Sequence, residues 1–335
     1  MRLLVLGGTK FLGRAAVEAA LERDHEVTLF NRGETNPELF PEGEKLRGDR
    51  DGDLSALEGR EWDAVIDPSG YVPRVVRASA ELLRGSVGHY VFVSSISVYR
   101  EPYEPGFDED APVFEVEPKT ESVDVEYAEL KAACERVLEE VLPGAHASVR
   151  AGLIVGPHDP TGRFTYWPLR FAAGGDVLAP APPEREVQYV DVRDLGAWLV
   201  RVAEERTAGS FNAARPSAPF GDLLETCRAV AGGESRIVWA DEAFLGEQGV
   251  GQWMELPLWL AGTDAPFLQA DVSRAVGEGL DFRPVRETVA DTLAWARQAG
   301  IPLLTPSARG SAGMDPAREA DLLEAWSRSD QPPHS

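Results

Sequence analysis

Cysteine, methionine, histidine and lysine are all scarce in this chain of 335 residues, which holds 2 Cys, 3 Met and 5 His. Only four of its 33 basic residues are lysine: Lys10, Lys45, Lys119 and Lys131. The two cysteines, Cys134 and Cys227, lie far apart and outside any motif. That excludes a disulfide framework, and buried reduced thiols are expected. The histidines (His25, His89, His146, His158, His334) show no ligand spacing such as HExxH, so no metal site is expected. No apolar run approaches the roughly 18 residues that a membrane span needs. The run Leu3–Leu6 is too short for a signal-peptide core and stops at Gly7–Gly8. A cytoplasmic protein without a membrane partner is the expectation. Positive charge is short as well, and the net charge of −23 repels polyanions, so nucleic acid is not an expected partner.

What is present is an alternation of strand and helix patterns. Residues 2–6 (RLLVL) form an apolar run suited to a buried parallel strand. After the loop GGTKFLG, Phe11, Leu12, Ala15, Ala16, Ala19 and Ala20 recur at helical spacing, and EVTLF (26–30) then reads as a strand. Strand, helix and strand within about 30 residues make one βαβ unit. Further strands are expected at 45–49, 63–67 and 89–94, and in ASVRAGLIV, with helices at about 72–83 and 124–141. Such alternation implies an α/β fold with a doubly wound, Rossmann-type parallel sheet covered on both faces. Beyond about residue 157 the pattern turns irregular, and seven of the eight tryptophans lie there. The expected organisation is a dinucleotide-binding domain over 1–156, to which some later segments return, and a smaller substrate lobe over 157–304. Helices are expected at 192–205, 220–231 and 285–299. A tail over 305–335 carries one helix-like segment at about 315–327, either mobile or docked by Leu322, Leu323 and Trp326.

Gly7, Gly8 and Gly13 stand where the first strand turns into the first helix. Unsatisfied backbone N–H groups and the positive end of a helix dipole suit a pyrophosphate there. YAELK places Tyr127 and Lys131 four residues apart on a helical pattern, so both side chains share one face. A neighbouring ammonium favours phenolate and brings a tyrosine towards acid–base work at neutral pH. With so few lysines, chance predicts only about 0.08 such pairs in the chain, which makes this one informative.

These segments resemble the extended short-chain dehydrogenase/reductase family, the NAD-dependent epimerase/dehydratase family, over about residues 1–300. Within it the chain most resembles an actinobacterial subgroup called isoflavone-reductase-like. GGTKFLG is similar to the family's GxxGxxG loop, with Lys10 at the middle glycine. The resemblance implies cofactor contacts from Gly7, Thr9, Lys10, Phe11, Leu12 and Gly13, and from Pro68, Ser69 and Gly70 in VIDPSGY beside the nicotinamide. Asp49, in RGDRDGDL, matches the family's adenine-contacting aspartate, or is a solvated loop acid. VFVSSISVY places Ser95 four residues before Tyr99, as the family's catalytic Ser or Thr stands; Ser94 is the rival, and an expected cofactor contact, and Ser97 a weaker one. Ser95, Tyr127 and Lys131 are thus the expected catalytic trio, with Lys131 also holding the nicotinamide ribose.

NAD-selective dinucleotide folds end the second strand in an acid, whereas this chain has Asn31 and Arg32. NADP(H) is therefore expected over NAD(H). Tyr71, Ser95, Tyr166, Trp167, Gln188 and Tyr189 are candidates for touching a small-molecule substrate, although core packing explains the aromatics equally well. Arg163 and Arg236 are candidates for an anionic group, and His158, in GPHDPTGR, is the one histidine near a plausible site. The expected reaction is hydride transfer to or from a carbonyl or alcohol carbon. Sugar-nucleotide epimerisation is the alternative, and a dinucleotide sensor or RNA-binding relative a lesser one. A homodimer paired through the Tyr127 helix is common in proteins of this resemblance.

Overall fold

The computed structural model describes residues 1–116, 126–307 and 310–329. The chain divides into two units. The first comprises Met1–Leu153, Val192–Arg215 and Asp271–Phe282. Its centre is a seven-stranded sheet of β1 (Arg2–Leu6), β2 (Glu26–Asn31), β3 (Glu44–Arg47), β4 (Ala64–Asp67), β5 (Tyr90–Ser95), β6 (His146–Ala151) and the strand Gly209–Ala213. Across the sheet they run Gly209–Ala213, β6, β5, β4, β1, β2, β3. Every pairing is parallel; Val5 lies opposite Leu29 on β2 and Ile66 on β4, and Val91 opposite Ala147. This is the doubly wound order, in which ligands bind beyond the carboxyl ends of the strands where the order reverses, between β1 and β4.

Both faces of this sheet are covered, which is why β1 and β5 read as near-continuous apolar runs. On one face Leu4, Leu6, Val65, Tyr90 and Phe92 pack against Val76, Ala80 and Leu83 of α2 (Pro73–Leu83) and Cys134, Val137 and Leu138 of α3 (Tyr127–Val141). The other carries α1 (Phe11–Glu22) and the helix Val192–Glu205. These two lie close because Gly196 has no side chain; a Cβ there would stand 2.8 Å from the backbone carbon of Ala15. Cys134 and Cys227 are free and buried. Among the described residues no helix is long and apolar enough to cross a membrane.

The second unit comprises Ile154–Asp191, Pro216–Ala270 and Arg283–Ser335. It contains parallel strands Asp176–Pro180 and Arg236–Ala240, and helices Tyr166–Ala172, Phe220–Ala231 and Val285–Ala299 that pack on one another. The helix Pro316–Arg328 lies against the strand Asp176–Pro180 and settles the choice left open for the tail segment. Asp315 caps it, accepting hydrogen bonds from the backbone N–H groups of Ala317 and Arg318. Its Glu319 is buried: Oε2 accepts from Arg170 at 2.5 Å and Oε1 from the Leu178 backbone N–H at 3.0 Å. Leu322 is buried and Trp326 packs on Phe244 at 4.9 Å, whereas Leu323 is half-buried.

Element positions depart from expectation in a few places. ASVRAGLIV forms two strands, His146–Ala151 and Leu153–Val155, because Gly152 interrupts it, its backbone N–H bonded to Ala213. Strands Gly209–Ala213 and Arg236–Ala240 were not expected; at five residues each, the first opening with Gly209–Ser210 and the second preceded by Ser235, they carry little pattern of their own. The expected helix start at 124 lies outside the described residues.

Removing one partner of a buried pair leaves the other charge uncompensated, at a cost of about 3–5 kcal/mol. Glu319→Ala is therefore expected to destabilise the second unit by that amount, read as a lower urea midpoint, and to speed proteolysis near residue 310. An unchanged midpoint would mean that the Glu319 pair does not hold this helix.

Candidate active site

At the carboxyl end of β1 the chain turns through Gly7 (φ 120°) and Gly8 (φ 91°). A Cβ on Gly8 would lie 2.4 Å from Leu29 Cδ2, and one on Gly13 would stand 3.0 Å from the Gly8 nitrogen and 3.3 Å from Pro68 Cγ. Glycine at these positions lets the first turn of α1 close onto the loop. Phe11 opens the helix at φ 41°, a conformation rare for a bulky residue. Lys10 is exposed at the N-cap position, with no side-chain cap bond. Thr9 and Leu12 are buried, and the Thr9 carbonyl accepts from Asn36 Nδ2 at 2.9 Å.

The end of β2 is tied to the same loop. Asn31 Nδ2 donates to the Gly7 carbonyl at 2.8 Å, while Oδ1 accepts from the Gly33 N–H and from Arg47 Nη1. Arg32 is exposed and pairs with Glu34 at 3.2 Å. Arg47, at the end of β3 opposite Asn31, is a second exposed cation that sequence reasoning missed. Asp49 is held within its own loop: its backbone bridges Asp53, and Oδ1 accepts from the Asp51 N–H at 3.0 Å.

The structure brings Tyr127 and Lys131 together on the first turns of α3. Tyr127 is the first helical residue, where the positive end of the dipole favours an anion. Lys131 Nζ lies 6.0 Å from the Tyr127 ring centroid and 4.6 Å from that of Phe92. The ammonium is buried and donates to the carbonyls of Gly70 and Val93, each at 2.6 Å. An ammonium has three N–H donors, so one remains for a ligand. Burial pushes the Lys131 pKa down to about 8; Cys134 and Asp67 oppose this and Arg50 adds to it. Tyr71, exposed, stacks on Tyr127 with ring centroids 5.6 Å apart and planes 24° apart.

Ser95 ends β5 and caps the short 3-10 turn Ile96–Val98, accepting from the Ser97 N–H at 3.1 Å and donating to the Ser97 hydroxyl at 3.2 Å. Ser94, one residue earlier, is buried and its hydroxyl has no hydrogen-bond partner. Side chains alternate along a strand, so Ser94 shares the face of Phe92, over which Lys131 lies. Both serines thus remain in place at the strand end.

Beneath the turn after β4 lies a charge pair that sequence reasoning missed. Asp67 is fully buried and accepts from Arg50 through both oxygens, at 2.6 and 2.8 Å, from Tyr90 Oη at 2.8 Å and from the Ser69 N–H at 3.1 Å. Arg50 also donates to Ser79 at 2.8 Å and to Ser69 Oγ at 3.3 Å, and Ser69 Oγ donates to the Leu6 carbonyl at 2.8 Å. The signal was available: one acid at the end of the apolar run DAVID, and one arginine amid the acids of GDRDGD. A buried carboxylate needs a cation.

Four residues named as candidate substrate contacts are buried in this structure. Tyr166, Trp167, Gln188 and Tyr189 are buried within the second unit. Trp167 donates to the Pro257 carbonyl at 2.9 Å and meets Tyr166 and Phe220 edge-on. Gln188 exchanges two hydrogen bonds with the Ala270 backbone, and Tyr189 packs on Phe164. Arg236 forms an exposed ion pair with Asp176, Arg163 lies over the Trp253 ring and His158 packs on Trp295.

No family model matches the chain. A curated relative, the chloroplast stem-loop binding protein of 41 kDa b of Arabidopsis thaliana, is 28% identical over 255 residues, 69% of this chain. The match spans 63% of that protein, less than two thirds of its length. Among solved structures, the Bordetella bronchiseptica enzyme WbmH in complex with NAD+ superposes with a TM-score of 0.68 at 19% identity, covering 90% of this chain and 99% of that one. UDP-glucuronic acid 4-epimerase of Bacillus cereus, in complex with NAD, gives 0.65 at 15%, covering 89% and 99%. The chain shares the fold of these two proteins, both solved with NAD, and its candidate pair Tyr127–Lys131 lies at the carboxyl ends of β4 and β5.

Proposed function

We propose that the protein is an NAD(P)-dependent oxidoreductase of the short-chain dehydrogenase/reductase type, acting on a carbonyl or alcohol carbon of a small molecule. The observation that carries this reading is the Tyr127–Lys131 pair on one helix face, with the ammonium held by Gly70 and Val93 at the strand ends. The Gly7–Gly8–Gly13 cradle fits a dinucleotide, since a Cβ on Gly8 or Gly13 would collide with the loop or its packing. When bound, the dinucleotide supplies or accepts the hydride. In reduction Tyr127 gives its phenolic proton to the substrate oxygen, and in oxidation it takes the proton from the alcohol. Lys131 stabilises the phenolate and offers its remaining N–H to a ribose hydroxyl. Ser95 holds the substrate oxygen beside Tyr127, with Ser94 as its rival. Tyr71, exposed and stacked on Tyr127, is placed to lie against the substrate.

NADP(H) is the preferred cofactor in this reading. Asn31 stands where an acid would repel a 2′-phosphate, and Arg32 and Arg47 are exposed at the same strand ends. Lys10 adds a cation at the loop.

Epimerisation is the second reading, favoured by the structural likeness to UDP-glucuronic acid 4-epimerase. The residues weigh against its UDP-galactose form, which the family resemblance associates with an Asn after Arg–Tyr–Phe at the sixth strand. Here Arg150–Ala151–Gly152 stands, and the Arg150 guanidinium is taken up by Glu135 and Tyr99. A dehydratase acid–base pair is lacking too, since Ile96–Ser97 follows Ser95. Stem-loop binding, in the name of the Arabidopsis relative, would in this chain be opposed by its net charge of −23 if the stem-loop is a nucleic acid.

Fluorescence titration is expected to show NADPH binding at least about tenfold tighter than NADH. Arg32→Ala should erase about tenfold of the NADPH affinity, the worth of one charged hydrogen bond, and leave NADH unchanged. A preference for NADH would overturn the cofactor assignment. Across a panel of carbonyl compounds, Tyr127→Phe should lower turnover by about 10²–10⁴-fold while NADPH still binds. Stoichiometric NADPH consumption marks a reductase, and a cofactor retained through purification marks an epimerase.

A further inference from the structure

The Arg50–Asp67 pair has no part in the proton transfer described above, yet it borders the one group on which that transfer relies. We propose that Arg50 and Asp67 are positioning residues for Lys131, fixing both the carbonyl that holds its ammonium and the balance of charge around it. The catalytic consequence rests on the reading of Lys131 as a cofactor-holding lysine; the placement of the ammonium does not.

The geometric link runs through the turn Pro68–Ser69–Gly70. Asp67 Oδ1 takes the Ser69 N–H, and Arg50 Nη1 reaches Ser69 Oγ. Ser69 Oγ in turn donates to the Leu6 carbonyl. Gly70 is pressed against the same carboxylate: a Cβ on it would lie 2.8 Å from Asp67 Oδ2 and 2.6 Å from Phe92. Its carbonyl then takes Lys131 Nζ at 2.6 Å. The turn is thus held from below by a carboxylate whose two oxygens accept four hydrogen bonds, with little freedom to move the carbonyl.

The electrostatic link has a definite sign. Facing Lys131 are Asp67 on β4, Arg50 from the segment after β3, Phe92 on β5, and Tyr127, Cys134 and Glu135 on α3 itself, while Tyr90 on β5 meets Asp67. Asp67 favours the ammonium and Arg50 disfavours it. Burial is the largest influence and brings the Lys131 pKa down, with Cys134 and Glu135 acting in the same sense as Asp67. Removing either charge alone unbalances the site in opposite senses. Loss of Asp67 lets Lys131 shed its proton at lower pH, and loss of Arg50 makes it keep the proton to higher pH.

Four lysines in the whole chain make this directly measurable. With 13Cε-labelled lysine, the Lys131 signal is assigned by its loss in Lys131→Arg and titrated by NMR without any dinucleotide. In the wild type it is expected to titrate near 8, apart from the other lysines. Asp67→Asn should move that midpoint down by about one pH unit and Arg50→Met should move it up by about the same. A merely structural role would move both alike or neither, and either result overturns the proposal. If thermal melting shows that Asp67→Asn does not fold, Arg50→Met is compared with the double variant Arg50→Met/Asp67→Asn. The double must then titrate lower than the single, and equality overturns the proposal. A wild-type protein that binds neither NADPH nor NADH would sink the proposed function while leaving this titration intact, so the two failures are distinguishable.

Discussion

The site depends on one ammonium held away from water by two main-chain carbonyls. Lys131 reaches from the second turn of α3 to Gly70 after β4 and to Val93 within β5. A single side chain therefore ties the helix carrying Tyr127 to the ends of two adjacent central strands. A buried ammonium is unfavourable unless its donors are met, and carbonyls meet them without neutralising the charge. What remains is a cation of weakened proton affinity near a phenol, in the crevice where this sheet order places ligands. Most other features of the first unit serve to keep that arrangement in register.

Helix α3 shows how the register is kept. Tyr127, Lys131 and Glu135 follow at four-residue spacing, a polar stripe on a helix whose remaining inner positions are apolar. Glu135 pairs with Arg150 of β6 at 2.9 Å, and Arg150 also donates to Tyr99 Oη at 2.8 Å and to the Glu109 carbonyl at 3.0 Å. Tyr99 continues to Asn212 at 2.7 Å, and the Asn212 N–H is taken by Glu109 at 2.7 Å. Two buried polar networks thus flank Tyr127 and Lys131: Arg50–Asp67–Tyr90 at the β4 turn, and Arg150–Glu135–Tyr99–Asn212–Glu109 towards β6. The second is fully satisfied, the condition under which buried polar groups make a structure rigid instead of weakening it, whereas in the first Arg50 Nε is buried without a partner.

Much of this was legible in the sequence because it rests on local pattern. The glycine loop, β1 to β6 of the first unit and the YAELK helix are set by apolar periodicity and by glycines at the strand-to-helix turn, and these read directly from neighbouring residues. Features built from residues far apart in the chain were not legible in the same way. Arg50 meets Asp67 and Ser79, and Arg150 meets Tyr99 and Asn212, only once the sheet has assembled. The aromatics Tyr166, Trp167 and Tyr189 were ambiguous for a related reason. A ring that lines a pocket and a ring that fills a core have the same sequence signature, and only burial separates them. Ser94 and Ser95 show the finest case: adjacent hydroxyls at one strand end, distinguished by alternation, with Ser95 turned to Ser97 and Ser94 left without a partner.

The account stands or falls on whether Lys131 meets a nicotinamide dinucleotide. Titration of NADPH into the wild type and into Lys131→Met at pH 7 tests this most directly, with folding of the variant confirmed by its melting transition. The account predicts saturable binding to the wild type and an affinity at least about tenfold weaker in the folded variant, the worth of one hydrogen bond from a charged donor. Equal affinity in the two proteins, or no binding of either NADPH or NADH to the wild type, would contradict it.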